Sequence, residues 1–178
     1  MRSWKEKCAL STEELAARMS PGQWAGSGFL GPNETLQEVV ARDAQFLRSV
    51  GVTHEQLAKK LEELLQAVGN EIVETGGSSV RRGHLEASFT GAYRGAQTCP
   101  FSEKATQFGI VAGNCSHNTA SQEYGSVDFK VTNSDTGEEV SGPGLILHLI
   151  RDHHFFEGNV AYRVDPEKLC RVLGFIPV

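Results

Sequence analysis

The sequence predicts an α+β fold, a small antiparallel sheet with flanking helices and an N-terminal helical hairpin. Two observations lead there. Residues 1–70 place their apolar side chains at helical spacing. Residues 71–178 hold most of the glycines and several short runs that alternate between apolar and polar. We divide the chain near Asn70 into a helical region, 1–70, and an α+β region, 71–178, expected to form one compact unit.

In chain order, Ser11 followed three residues later by Glu14 is a capping box, opening a short helix through Leu15 and Met19 that Pro21 and Gly22 stop. GQWAGSGFLGP reads as loop. Asn33 or Thr35 caps a second helix, with Leu36, Val39, Val40, Phe46 and Leu47 on one stripe and Gly51 closing it. Thr53 with Gln56 is another capping box, and Leu57, Leu61, Leu64, Leu65 and Val68 line a third helix. The second and third helices form the hairpin, whose apolar face is expected to pack on the chain's own second half. Lys59, Lys60, Glu62 and Glu63 read as its solvated side.

Beyond Asn70, GGSSVRRG reads as an exposed linker. It lacks the lysine and preceding apolar strand of a phosphate loop. His84 to Tyr93 alternates Leu85, Ala87 and Phe89 as a strand does, residues 106–111 make another short strand, and GNCSHNTASQEYG is loop. Val127, Phe129 and Val131 form a strand that NSDTGE turns back toward Val140. Pro143 suits the first residue of a helix, which LILHLIRDHHFF continues to Gly158. A short strand runs through Tyr162, and Asp165 caps a last helix with Pro166 at its first position and Leu169, Val172 and Leu173 inside.

With 178 residues the chain is long enough to bury a core. Seventeen Lys and Arg against twenty-two Asp and Glu leave a formal charge of -5, which disfavours a nucleic-acid backbone as partner. No apolar run approaches the roughly 18 to 20 residues of a membrane span. The start, MRSWKEKCALSTEE, lacks the apolar stretch of a secretory signal, so the expected location is cytoplasmic.

Cysteine stands at positions 8, 99, 115 and 170, and histidine at 54, 84, 117, 148, 153 and 154. In a cytosolic chain each cysteine is a small buried hydrophobe, a metal ligand or a nucleophile. Cys170, among Leu169, Val172 and Leu173, reads as core, whereas Cys99 and Cys115 stand in polar, turn-rich surroundings that no apolar stripe explains. Both precede a helix bearing His148 and His153, the order in which a two-cysteine, two-histidine zinc site is assembled. Cys99, Cys115, His148 and His153 are the predicted ligands of one zinc ion, which would staple the C-terminal region. At about 100° per residue the two histidines are roughly 140° apart around the axis, so the helix must tighten at its end for both to bind. His154 lies on the other side, and spacing favours His153. The interval from Cys99 to Cys115 is far longer than the two to four residues of a DNA-reading finger.

The strings QTCPF, DFKVTNSDTGEEV, GPGLILHLIRDHHFFEG and AYRVDP together resemble a group of small, mostly bacterial proteins without an assigned activity, over roughly residues 85–173. In that pattern a CPF cysteine and a later cysteine accompany the helix histidines, whereas the second cysteine here sits in CSH within a longer, more polar loop. The resemblance carries no activity with it.

A zinc-binding protein whose metal is mainly structural, serving as a binding or adaptor module for an unknown protein partner, is the leading expectation. The alternative is a metal-dependent hydrolase using His148, Asp152 and His153 or His154, with Glu157 as general base and Asp128 as a further oxygen ligand. In the structural reading Asp152 instead orients a histidine N–H. Arg151, Arg163 and Asp165 are expected to pair or cap helices, and Phe155 and Phe156 to anchor the core.

Overall fold

The computed structural model describes residues 10–22, 25–92, 97, 99–102 and 124–177. Three helices come first: α1 (Thr12–Met19), α2 (Leu36–Ser49) and α3 (His54–Thr75). Each opens on a reciprocal capping box, Ser11 with Glu14, Thr35 with Glu38 and Thr53 with Gln56, so two otherwise orphaned amides are satisfied at each start. Between α2 and α3 lies only the Val50–Thr53 turn, with Gly51 at φ 70°. The two helices find different partners: α3 packs on α4 (Leu145–His153) and on strands β1 (Ser79–Arg82) and β2 (Leu85–Ala92), while α2 packs on α5 (Pro166–Val172). The expected packing of this pair on the second half is thus realised. α3 also runs past Asn70, because Glu71, Ile72 and Glu74 still favour helix, and ends where Gly76 turns left-handed at φ 73°.

The sheet adds β3 (Val127–Asn133) and β4 (Glu139–Pro143) and is antiparallel throughout, in the order β1-β2-β3-β4. Register explains its two faces. Val80, Ala87, Val131 and Val140 are successive partners across all four strands, and all are buried. The next rung, Arg81, Glu86, Thr132 and Glu139, is polar and open to solvent, with Arg81 and Glu86 paired at 3.1 Å.

Four local expectations change. The expected linker GGSSVRRG contains strand β1, because Gly83 (φ 61°) and His84 make a two-residue turn that folds Arg82 back onto Leu85. Pro143 ends β4 rather than opening a helix; α4 starts at Leu145 after Gly144. α4 stops at His153, not Gly158, because His154 adopts the left-handed conformation at φ 57°. Residues 159–164 form turns in place of a strand through Tyr162. The strand expected at 106–111 lies outside the described residues.

Phe155, Phe156 and Cys170 are fully buried, as is Leu61 on α3. Asp165 caps α5 by accepting from the Lys168 amide, with Pro166 in the first turn.

Candidate metal centre

The centre is built on α4, a nine-residue helix buried on nearly every side. Its start is held by close backbone approach. A Cβ added to Gly144 would lie 2.1 Å from the Tyr124 carbonyl oxygen, and the Gly144 amide donates to Val127 O at 2.7 Å. Its end is closed by the His154 amide donating to Ile150 O and the Phe155 amide to Leu149 O, at 3.2 and 3.1 Å.

His148 lies within this helix and His153 is its last residue. Their rings meet edge to face with centroids 4.9 Å apart, so the two histidines do converge at the terminal turn. The third member arrives from the segment after β2. There the Ser102 amide donates to Cys99 O at 3.1 Å, forming a turn, and Arg18 of α1 clamps that turn by donating to the carbonyls of Pro100 and Ser102. Phe101 stacks flat on the His153 ring, centroids 4.0 Å apart and planes 5° apart, which brings Cys99 Sγ to 3.5 Å from His153 Nε2.

One donor atom each from Cys99, His148 and His153 thus lies within 4.8 Å of the others, and this group could hold a metal ion. The Cys99–His153 spacing also suits the ion: Zn–S of about 2.3 Å and Zn–N of about 2.0 to 2.1 Å place sulfur and nitrogen roughly 3.5 Å apart along a tetrahedral edge. All three residues are buried, at 5%, 2% and 0% exposure respectively.

Outside this group stands a chain of charge. His148 Nδ1 lies 2.7 Å from Asp152 Oδ2, which also accepts from Arg151 Nε and Nη2 at 3.3 and 3.2 Å. Arg151 reaches Glu62 on α3 at 2.7 Å, so Glu62 is more than a solvated residue. Burial pushes the Asp152 carboxyl up, but the hydrogen bonds and charges of His148 and Arg151 outweigh it and hold the group below the ordinary carboxylate value. An ionised Asp152 accepts the Nδ1 proton, so Nε2 is the atom of His148 that could take a metal ion.

Other candidates fall elsewhere. Cys115 lies outside the described residues. His154 stacks on His54 of α3, centroids 4.3 Å apart, and Asp128 sits on β3 opposite Gly91 and Pro143. Glu157 occupies the turn after α4, buried but not part of the cluster. The Arg18 clamp and the Arg151–Glu62 tether had no sequence signal, since each joins residues more than eighty positions apart. Phe101 had one, as it adjoins the cysteine in CPF.

Among the described residues no helix is long and apolar enough to cross a membrane. Compared with protein-family profiles, curated proteins and solved structures, the chain matches none.

Proposed function

We propose that this is a zinc-binding protein whose metal is structural, ligated by Cys99, His148, His153 and, from the sequence, Cys115, and that the fold it braces serves as a binding or adaptor module in the cytoplasm. The observation that carries this reading is the convergence of three buried donor atoms with Cys99 Sγ and His153 Nε2 at the spacing of a tetrahedral edge. Burial also weighs against the hydrolase alternative, which needs a metal position that water and substrate can reach. So does the engagement of Asp152 with His148 and Arg151, and of His154 with His54.

Protein purified without a polyhistidine tag is expected to contain about one zinc per chain by elemental analysis. Cys99→Ser and His153→Ala should lose most of it and lower the melting temperature, because binding energy at a structural site is also folding energy, while His154→Ala should retain it. Metal-free wild type with full stability overturns the proposal. Zinc retained by Cys115→Ser together with hydrolytic activity would favour the open, three-ligand site.

A further inference from the structure

Glu157 stands apart from the metal centre. It is 1% exposed, it is not glycine yet adopts φ 66°, and neither carboxyl oxygen has a hydrogen-bond partner among the described residues. The turn that carries it is seated tightly on the N-terminal half. The Gly158 amide donates to Phe29 O at 2.8 Å and the Asn159 amide to Glu34 Oε2 at 2.5 Å. A Cβ on Gly158 would lie 2.2 Å from Glu34 Oε2 and 3.0 Å from Leu30 Cα, so the backbone has no room to shift inward.

Among the described residues, the charged groups around the turn are Glu34 and the pair Arg42 and Asp43 from the N-terminal half, and Arg163 from the segment before α5. Arg163 donates to both carboxylate oxygens of Asp43, at 3.0 and 2.8 Å, and to the main-chain oxygen of Glu157 rather than its side chain. Arg42 is shared between Glu34 and Asp43 at 3.2 and 3.3 Å. His54 approaches through its stacking on His154 and a tilted ring contact with Phe156. Two guanidinium groups thus serve two carboxylates, and an ionised Glu157 would be a third negative charge, desolvated and without a cation of its own. An isolated buried carboxylate is costly enough that the group takes a proton instead.

We propose that Glu157 is a proton-held latch: its neutral carboxyl allows the turn after α4 to seat on the Phe29–Glu34 segment and α2, and loss of that proton to solvent unseats the turn. Burial pushes the carboxyl up to about 8, with Arg163 pulling the other way. A carboxyl raised in the folded state binds its proton there more tightly than in the unfolded chain, where it ionises near 4.5. Stability from this group is therefore complete below about pH 4.5 and declines as pH rises to about 8. Asp152, lowered in the fold, acts in the opposite sense at more acid pH, and Cys170, raised by burial to about 11, acts at more alkaline pH.

The test compares wild type with Glu157→Gln in denaturant unfolding from pH 5 to 9. The wild-type unfolding constant should rise against that of the variant by about tenfold per pH unit up to about 8 and then level, corresponding to one proton. Hydrogen exchange at the Gly158 and Asn159 amides should accelerate above pH 8 in wild type only, after correction for intrinsic base catalysis. Parallel pH profiles overturn the proposal. Should Glu157→Gln fail to fold, carbon NMR of the wild-type Glu157 carboxyl decides: titration near 8 supports the latch, and titration near 4.5 overturns it.

Discussion

Replacing Asp152 tests the proposed metal centre without touching any of the four proposed zinc ligands. Its carboxylate accepts from His148 at 2.7 Å and is itself steadied by Arg151, whose other arm is fixed to Glu62. Asp152→Ala removes the acceptor that holds the His148 ring with Nε2 toward Cys99 and His153. Asp152→Asn keeps an acceptor oxygen but removes the charge. Outer partners of metal-bound histidines are typically worth 10- to 100-fold in affinity, or about 1.4 to 2.7 kcal/mol. The 2.7 Å contact to a 2%-exposed ring places the alanine variant at the upper end of that range and the asparagine variant near tenfold. Competition with a chromogenic zinc chelator at pH 7.5 measures both. Arg151 retains Glu62 in either variant, so the fold should survive, which circular dichroism checks. Zinc affinity unchanged in Asp152→Ala would mean that His148 is not a ligand or does not depend on this carboxylate, and the assignment would fail.

Two further outcomes test the packing. Leu61→Ala, fully buried on α3, should cost about 2 to 5 kcal/mol in denaturant unfolding, and a loss below about 0.5 kcal/mol would mean that α3 does not cover the core as described. Gly144→Ala should markedly destabilise the protein and lower its zinc content with it, because the new methyl meets backbone at Tyr124 and must displace the start of α4; an unchanged melting curve would refute that close approach.

The helices were legible because their signals are local. The capping boxes at Ser11 and Thr53 and the Leu57–Val68 stripe need only neighbours in sequence, and the structure follows them, adding a third box where Thr35 pairs with Glu38. β1 was hidden because a four-residue strand with one apolar residue, Val80, shows no alternation; the Gly83-His84 pair was the available clue. The end of α4 was misplaced because HHFF continues an apolar pattern, and nothing local shows that His154 turns left-handed. At the candidate metal centre, Cys99, His148 and His153 could be drawn together by residue type and order. What aligns them could not, since Arg18 and Phe101 act through contacts that only the folded chain creates. Glu157 was visible as a nearby acid, but its burial and lack of a cation depend on how Arg42 and Arg163 are shared.

The sheet is wired unevenly. Its outer pairs, β1 with β2 and β3 with β4, are short hairpins, whereas the central pair, β2 with β3, is joined through residues 93–126. Pairing strands that far apart in sequence costs about 3 kcal/mol of closure entropy beyond a constant, which a two-residue hairpin turn largely avoids. The central seam is therefore closed by contacts far apart in sequence, and the described part of its connection is anchored, since Arg18 holds the Cys99–Ser102 turn beside α4. The register of the two hairpins is set by their own turns, whereas the register between β2 and β3 depends on how α3, α4 and the Arg18-held turn seat against the sheet.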